Sequence, residues 1–500
     1  MKNYRLLMLT TLIISGCSIC YELIISAVSS YLVGDSTMQY SITIGLYMAA
    51  MGLGSYLSRF MKKNLFNWFV LIEIGVGVIG GISSLVLFLS HLYLKTYQIV
   101  MYMEIITIGT LVGVEIPLLT RIIEKDEENL RITISSLFSF DYVGSLIGSI
   151  AFPLLLLPQL GYFATAFLTG CMNILAAILI LFKYSKRIKQ VKVYKIATGA
   201  LFIGMVFGML FSENISKYIE GGLYRDKVIL SEHTKYQHIV MTKHRDDLRL
   251  FLDGNVQFCS LDEYRYHEAL VHVPMSKAVK RDKVLVLGGG DGLAVREILK
   301  YPESHITLVD LDEEMIRLCS EDPNVTALNQ GSLDSDRLTI HTQDAYEFLE
   351  NTTEKYDVII VDFPDPNNET LNKLYTNVFY RLCHNALNED GIMTVQSTSP
   401  YYATEAFWCI NKTIASEGFF VKPYHLQVPA FGDWGFNLAS KQELASDFSI
   451  QVETKYLTNE NINGLFYFGK DEQPEKELEV NQLSKPTLIQ YYLEAVKNWD

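Results

Sequence analysis

A short apolar segment that runs into a glycine-rich turn carries the clearest chemical signal in this chain. Residues 284–287 are all apolar, and Gly288–Gly290 and Asp291 follow them directly. A second strand-like segment, 306–309, ends in Asp310. Glycines let a backbone approach a bound nucleoside closely, and an acid after the next strand can accept hydrogen bonds from ribose hydroxyls. This pattern predicts a nucleoside site in a doubly wound α/β domain.

The turn itself indicates what kind of nucleoside would bind. A dinucleotide fingerprint needs a third glycine, and the position where it would fall holds Leu293. Asp291 inside the turn would repel a pyrophosphate, whereas it would attract a positively charged ligand. We therefore expect a nucleoside that carries a sulfonium or an amine, and not a dinucleotide.

Alternating strand and helix signals continue from residue 282 onward. Predicted helices include 293–300 and 312–320, and the short connections indicate a parallel sheet that binds ligands at the carboxyl ends of its strands. The predicted strands are 283–287, 306–310, 338–342, 357–362 and 391–396. The acids at or just beyond these ends are Asp291, Asp310, Asp344 and Asp362. Four carboxylates on one rim are hard to explain by packing, so they indicate a site.

The segment Tyr356–Pro366 places two carboxylates at the end of a fully apolar strand. Asp362 ends the strand, and Asp365 follows in a turn that Pro364 and Pro366 stiffen. An aliphatic amine has a pKa of about 10 and is therefore protonated at neutral pH. Paired carboxylates can hold such an ammonium and accept its proton as the nitrogen attacks an electrophile. Turn chemistry is the alternative explanation for Asp365, since Asp-Pro pairs are common in loops.

Residues 214–275 are predicted to form a small β-rich lead-in. Strand signals at 238–242 and 248–252 precede a turn at Asp253–Asn255, and a helix is predicted to start near Asp262. The expected organisation is a multi-pass membrane domain at 1–213, this lead-in at 214–275, a Rossmann-like, methyltransferase-type α/β domain at 276–470, and an acidic linker with a terminal helix at 471–500.

The first 213 residues differ sharply in composition from the rest. The whole chain is 49% hydrophobic and has a formal net charge of −14, but its long apolar stretches all lie in the N-terminal part. Most of them exceed the approximately 18 residues that indicate a membrane span, which predicts a polytopic α-helical domain. The stretches are roughly 6–32, 40–60, 66–90, 98–120, 132–157, 161–182 and 195–211.

Basic residues between these stretches predict the orientation of the chain. They cluster at 59–63, 121–131 and 183–192, which puts the N-terminus in the cytoplasm by the positive-inside rule. Seven spans would then place the C-terminal domain outside the cell, away from the nucleoside metabolites made inside. We expect a multi-pass protein of the cell (inner or plasma) membrane with a cytoplasmic catalytic domain. The 195–211 stretch or the first hairpin is then the segment that does not cross.

In these residues the chain resembles the spermidine synthase family of aminopropyltransferases, in its membrane-attached bacterial form. The resemblance covers roughly residues 225–440 and rests on the order and spacing of several short motifs. These are Tyr236-Gln237, Leu252-Asp253-Gly254 with Gln257, Asp262 to Glu268, the Gly288–Gly292 turn, Asp310, Asp344-Ala345, and Asp362 to Pro366. The family implies transfer of an aminopropyl group from decarboxylated S-adenosylmethionine to an amine such as putrescine. The products are then spermidine or a related polyamine and methylthioadenosine.

The resemblance also implies a role for each matching side chain. Asp362 would be the catalytic base, and Tyr266 and Asp365 would position the attacking amine. The donor-binding residues would be Gln237, Gln257, Gly288, Gly290, Asp291 on the aminopropyl amine, Asp310 on the ribose and Asp344 on the adenine side. The acceptor-binding residues would be Tyr266, His267, Asp365 and Trp434.

Partners and cofactors follow from the same resemblance and its chemistry. No metal and no cofactor are expected, because a sulfonium already provides a neutral leaving group. The expected partners are a small amine and the lipid bilayer; no nucleic acid is expected, and homodimerisation is an expectation from the family alone.

The chain also departs from the family pattern. Phe363-Pro364 stand where small polar residues are common, and Phe431 stands near the position of a tyrosine in the acceptor pocket. The resemblance therefore leaves the identity of the acceptor amine open, whereas the donor-site residues match the family pattern.

Two alternatives to this function remain. An S-adenosylmethionine methyltransferase would use the same fold, but Asp291 would repel the carboxylate of the intact donor. A membrane transporter or polyamine sensor would use acids inside the apolar stretches as a cation path, because intramembrane carboxylates are costly unless they face protein or water. Packing is the simpler explanation for these acids, which are Glu22, Glu73, Glu104, Glu115 and Asp141.

Overall fold

The computed structural model describes residues 5–33, 36–94, 97–124, 130–224, 226–444 and 448–497. They fall into two compact units, Met1–Arg225 and Asp226–Asp500. The predicted boundary lay after residue 213, but the helix Ser212–Leu223 packs within the first unit. There the Tyr218 hydroxyl lies 3.3 Å from the hydroxyl of Tyr93. Lys125, in the predicted basic loop 121–131, lies outside the described residues.

The described part of the first unit is entirely helical. A π-helical segment, Phe152–Leu156, joins its sixth and seventh α-helices. The α-helices are α1 (Arg5–Val33), α2 (Ser36–Leu57), α3 (Leu65–Gly81), α4 (Ser83–Tyr93), α5 (Tyr97–Glu124), α6 (Leu130–Ala151), α7 (Leu157–Lys183), α8 (Val191–Leu210) and α9 (Ser212–Leu223).

Several of these helices are long and apolar enough to cross a membrane. Among the described residues four satisfy this criterion: Arg5–Val33, Tyr97–Glu124, Ile134–Lys183 and Val191–Leu210. The pair α3 and α4, bent by 44°, makes a fifth if it counts as one span. The number is lower than the predicted seven partly because two predicted stretches merge into the 50-residue run Ile134–Lys183. Gly161, with φ 69° and ψ −177°, breaks the helix inside that run.

Glycines let the long helices of this unit approach closely. A side chain at Gly144 on α6 would collide with the carbonyl oxygen of Leu12 on α1, and one at Gly54 on α2 would collide with that of Thr110 on α5. Small residues at such crossings are typical of helix contacts in membranes.

The five acids predicted to interrupt the apolar stretches all lie in these helices. Glu73 Oε2 accepts a hydrogen bond of 2.9 Å from Asn173 Nδ2, and Asp141 accepts one from the Ser15 hydroxyl. Glu73, Glu104 and Glu115 each keep one buried carboxylate oxygen without a hydrogen-bond partner among the described residues.

The second unit begins with the predicted β-rich lead-in. Four strands form an antiparallel sheet in sequence order. Its strands are β1 (Lys227–His233), β2 (His238–His244), β3 (Asp247–Leu252) and β4 (Asn255–Cys259). The predicted strands at 238–242 and 248–252 and the turn after them are confirmed. The predicted helix near Asp262 is α10 (Glu263–Lys277).

A seven-stranded sheet with helices follows. Its strand order is β10-β11-β9-β8-β5-β6-β7. The strands are β5 (Lys283–Gly288), β6 (His305–Asp310), β7 (Leu338–Thr342), β8 (Tyr356–Asp362), β9 (Leu387–Gln396), β10 (Phe420–Val428) and β11 (Gly432–Ser440). The helices are α11 (Leu293–Ile298), α12 (Glu313–Glu321), α13 (Pro323–Asn329), α14 (Ala345–Asn351), α15 (Glu369–Asn372), α16 (Asn377–Ala386), α17 (Thr404–Ala415) and α18 (Thr487–Val496).

The topology confirms the predicted α/β class and extends it. Strands β5 to β9 pair in parallel, as the apolar runs and short connections predicted. The hairpin of β10 and β11 then adds two antiparallel strands at one edge, which the sequence pattern had not indicated. The C-terminal segment also packs into the domain: Leu478, Leu488 and Tyr492 are buried in the same apolar cluster as β5 and β8.

Candidate active site

Parallel pairing brings the predicted acids to one edge of the sheet. Gly288 at the end of β5 is in register with Asp362 at the end of β8, and Asp310 ends the neighbouring strand β6 on the other side of β5. The carboxyl ends of β5, β6 and β8 therefore surround the glycine turn. This is the place where open α/β sheets bind ligands.

The glycine turn needs glycine for two reasons. Gly288 and Gly289 have φ of 80° and 74°, a region that residues with a side chain rarely adopt. A side chain at Gly288 would also collide with the carbonyl oxygen of Asp362. The backbone of β5 thus passes directly against the end of β8, and the turn places Asp362 beside the predicted nucleoside site.

Asp310 is held by the turn that it faces. Its Oδ2 accepts a hydrogen bond of 3.0 Å from Gly290 N, and its Oδ1 accepts one of 3.0 Å from Asp312 N. Burial raises the pKa of Asp310 to about 6. These two bonds fix the carboxylate at the end of β6, where a ribose would approach.

Asp291 is buried, with 8% of its surface exposed. Its Oδ1 accepts a hydrogen bond of 2.9 Å from Leu293 N at the start of α11, and burial raises the pKa of its carboxyl. Asp291 also acts electrostatically on Asp362 and raises the pKa of that carboxyl. The two acids therefore share one pocket of negative potential.

Asp362 receives a short hydrogen bond from α10. The Tyr266 hydroxyl donates to Asp362 Oδ1 over 2.5 Å, and Tyr266 is itself buried. Burial raises the pKa of Asp362 to about 6, the nearby charge of His267 lowers it, and the charge of Asp291 raises it. A carboxylate with a pKa near 6 is ionised at neutral pH and can still accept a proton.

His267, a predicted acceptor-binding residue, is buried and contacts Glu263 on its own helix. Its Nδ1 donates to the main-chain oxygen of Glu263 at 2.8 Å and to Glu263 Oε2 at 2.9 Å. Although burial lowers the pKa of His267, the hydrogen bond and charge of Glu263 raise it to about 9. Arg296 binds the same carboxylate with two contacts of 2.9 Å. His267 is thus a buried imidazolium whose positive charge acts on the nearby carboxylates.

Asp365 is surrounded by donors that the sequence had not indicated. Gln396 Nε2 donates to its Oδ1 at 2.8 Å, while the hydroxyls of Thr398 and Tyr492 donate to its Oδ2 at 3.2 and 3.0 Å. Thr398 has a φ of 59°, which is uncommon for a residue with a side chain and is typical of strained functional sites. Burial raises the pKa of the Asp365 carboxyl, and the three hydrogen bonds lower it.

Aromatic rings flank Tyr266 on the side of the β10–β11 hairpin. The ring of Phe431 is perpendicular to that of Tyr266 at 6.1 Å, and Phe436 lies at 5.3 Å. Trp434 packs on Phe431 at 5.0 Å, and its buried indole N–H has no hydrogen-bond partner among the described residues. An aromatic wall next to carboxylates suits an alkylammonium ligand.

The remaining predicted donor-binding residues are Gln237, Gln257 and Asp344. Gln237 Nε2 donates to Asp312 Oδ2 at 2.9 Å, so Asp312 is a neighbour of the predicted site that the sequence had not indicated. Gln257 lies on β4. Asp344 caps α14 through Tyr346 N at 2.8 Å and binds Lys373 Nζ at 2.5 Å.

A group with metal-ligand side chains lies elsewhere in the second unit. His425, Asp433 and Glu472 bring their ligand atoms within 4.8 Å of one another. His425 Nδ1 lies 2.7 Å from Asp433 Oδ1, and its Nε2 lies 2.8 Å from the main-chain oxygen of Tyr467. Both ring nitrogens therefore have hydrogen-bond partners, and the contacts are those of an imidazolium beside a carboxylate.

Comparison with known proteins places this geometry in a family context. The sequence model of the Spermine/spermidine synthase domain matches residues 263–451. A polyamine aminopropyltransferase of Leptospira interrogans is 40% identical over 487 residues, which cover 97% of each chain. One of Oceanobacillus iheyensis is 41% identical over 494 residues, which cover 97% of this chain and 96% of the relative.

Solved structures are also similar to part of the chain. A crystal structure of spermidine synthase in complex with the transition state analogue AdoDATO covers 48% of this chain and 85% of its own, with 28% identity and a TM-score of 0.45. Spermidine synthase from Thermotoga maritima covers 48% and 84%, with 28% identity and a TM-score of 0.44.

Proposed function

The chain belongs to the polyamine aminopropyltransferase family, and from this premise we propose the donor, the acceptor class and a role for each side chain of the acidic pocket. The enzyme transfers an aminopropyl group to an amine. The donor in this proposal is decarboxylated S-adenosylmethionine, and the acceptor is a diamine such as putrescine. The products are spermidine or a related polyamine and methylthioadenosine.

One observation carries the assignment of the base: Asp362 lies partly buried beside the glycine turn, accepts the Tyr266 hydroxyl, and has its pKa raised to about 6. The acceptor nitrogen must lose a proton to become a nucleophile, and Asp362 takes it. The nitrogen lone pair then forms a bond to the aminopropyl carbon next to the sulfonium. The carbon–sulfur bond breaks and its electrons neutralise the sulfur. Alignment of these atoms in one pocket supplies much of the acceleration.

Each acid contributes a different contact in this mechanism. Tyr266 holds the carboxylate of Asp362 through its hydroxyl, and Asp365 binds the distal ammonium of the acceptor. Asp291 binds the amine of the aminopropyl group, and Asp310 binds the ribose, with Gly288 and Gly290 allowing close backbone approach. Gln237 and Gln257 complete the donor site. Asp344 faces the adenine side while its carboxylate stays bound to Lys373.

Asp291 also favours a decarboxylated donor over intact S-adenosylmethionine. The intact donor carries a carboxylate at the carbon that bears the amine, and a buried aspartate repels it strongly because burial weakens solvent screening. A methyltransferase activity would need that carboxylate to be accommodated. The acidic pocket therefore supports aminopropyl transfer over methyl transfer.

Methylthioadenosine release from the purified full chain tests the proposal. We expect release with decarboxylated S-adenosylmethionine and a diamine, at a rate that depends on the length of the diamine, and no release when the amine is omitted. Intact S-adenosylmethionine is the matched control, with methylated amine as its readout. Methyl transfer from that control, or no release with any amine from a chain that still binds the donor, would contradict the proposal.

We also propose that the first unit spans the cell membrane, with the catalytic unit in the cytoplasm. The long apolar helices and the glycine crossings between them support this location. Alkaline carbonate extraction of cells should leave the full chain in the membrane pellet. Its release into the soluble fraction, alongside a peripheral control protein, would contradict a membrane-spanning unit.

A second function, cation transport or sensing, is favoured by the carboxylate oxygens of Glu73, Glu104 and Glu115 that have no hydrogen-bond partner within the described part of the chain. It predicts that Glu115→Gln abolishes a polyamine transport phenotype while aminopropyl transfer continues. If Asp362→Asn leaves polyamine production unchanged, that result supports the second function and contradicts the first.

A further inference from the structure

The last helix of the chain reaches the acceptor end of the active site. Helix α18 carries Tyr492, whose side chain is 7% exposed and whose hydroxyl donates to Asp365 Oδ2 at 3.0 Å. The match to the Spermine/spermidine synthase domain ends at residue 451, so Tyr492 lies outside it. The catalytic unit thus receives a polar contact from a segment beyond the matched domain.

Several hydrogen bonds join this segment to the rest of the second unit. Trp408 Nε1 donates to the main-chain oxygen of Glu472 at 2.6 Å. Further along, the fully buried Asn481 donates from its side chain to the main-chain oxygen of Tyr375 at 3.0 Å and accepts from Leu488 N at 3.3 Å. These contacts set the start of α18 against the turn after β8. The position of Tyr492 is therefore fixed by the fold.

The contact limits what Asp365 can still bind. A carboxylate offers about four acceptor sites on its two oxygens. Among the described residues, Oδ2 is bound by Thr398 and Tyr492, and Oδ1 is bound by Gln396 alone. The free capacity is therefore one acceptor site on Oδ1, which matches one N–H of an ammonium group.

We propose that Tyr492 is a positioning residue that sets acceptor specificity. Its hydroxyl orients the carboxylate of Asp365 so that the remaining site on Oδ1 meets the distal ammonium of a diamine at one distance from Asp362. This inference rests on the proposed function, because it needs Asp365 to bind the acceptor. The helix α18 then closes the far end of the acceptor site and selects amines by length.

Tyr492→Phe removes the hydroxyl and keeps the ring, which isolates this contact. We expect KM for the preferred diamine to rise about tenfold, because Asp365 loses the charge-assisted hydrogen bond that orients its carboxylate toward the distal ammonium. KM for the donor and kcat should stay within about twofold, since Tyr492 touches neither the donor residues nor Asp362. The preference among diamines of increasing length should flatten. Steady-state kinetics of the full chain with a series of α,ω-diamines measures all four quantities.

Tyr491→Phe is the matched control, because Tyr491 precedes Tyr492 on the same helix and has a ring contact with Lys476. It should leave every parameter unchanged. Unaltered acceptor KM and length preference in Tyr492→Phe would overturn the proposal. A lower kcat, together with changes in KM for both substrates and a lower melting temperature, would overturn it too, because that combination indicates a structural role. Failure of the wild-type chain with every amine would instead contradict the proposed function itself.

Discussion

Asp362→Asn will lower kcat for aminopropyl transfer by about 10²- to 10⁴-fold, which is the range that a positioned general base contributes. Asparagine keeps the shape of the side chain and an oxygen that can accept from the Tyr266 hydroxyl, which lies 2.5 Å from Asp362 Oδ1 in the wild-type protein. It cannot take a proton from the acceptor ammonium at neutral pH. Donor affinity should change much less than kcat, because the proposed donor contacts come from side chains other than Asp362. Stopped-time assays of methylthioadenosine with separate donor-binding titrations measure both quantities.

Asp357→Asn is the matched control on the same strand. Asp357 lies at the opposite end of β8, where its carboxylate accepts hydrogen bonds of 3.1 Å from Lys283 N and 2.8 Å from Asn388 Nδ2. The same substitution there affects stability and leaves the active site alone, so kcat should stay within about twofold. If Asp362→Asn keeps more than a tenth of the wild-type kcat, Asp362 is not the base.

The ends of the buried strands were the predictable part of this site. Apolar runs identified β5, β6 and β8, and parallel pairing then dictates that residues following them share one edge. Asp310 and Asp362 lie together for that reason. The glycine turn was also predicted, but from close approach to a bound nucleoside; the contact of Gly288 with the carbonyl oxygen of Asp362 on the neighbouring strand was not.

The side chains that complete the site could not be read in the same way. Tyr492 contacts Asp365 across 127 positions of sequence, and the terminal helix predicted within 471–500 gave no indication of which face packs inward. Gln396 ends β9, the last of the parallel strands, but lacks the charge that marked the other strand ends. Side-chain contacts of this kind depend on how elements distant in sequence pack together. The local pattern of apolar residues does not contain that information.

Asp344 and His267 show that the type of a residue does not fix its use. Asp344 was predicted on the adenine side, and its carboxylate caps α14 and binds Lys373. His267 was predicted at the acceptor because it lies in a motif with Tyr266. The spacing of Glu263 and His267, four residues apart on one helix, was the signal that could have found their ion pair.

His267→Gln will shift the acid limb of the pH–rate profile to higher pH and lower kcat/KM for the donor about tenfold near pH 6. Asp362 must be ionised to accept a proton, so the wild-type rate should fall as the pH drops through about 6, the pKa of Asp362. The imidazolium of His267 favours the ionised form of that carboxyl. Glutamine can still donate to Glu263 but carries no charge, so the pKa of Asp362 should rise by about one unit or more.

His272→Gln separates this electrostatic effect from a loss of packing. His272 is buried on the same helix and pairs with Glu297 at 2.8 Å, in a network joined to Glu263 through Arg296. The His272 ring hydrogen-bonds to Tyr301 and Glu297 and to none of the active-site acids, so its removal should lower the melting temperature without moving the acid limb. At pH 8.5 the His267→Gln rate should approach that of the wild type, because Asp362 is then ionised in both proteins. An acid limb that stays near pH 6 in His267→Gln, or that moves equally in both variants, would mean that the buried imidazolium does not tune the base.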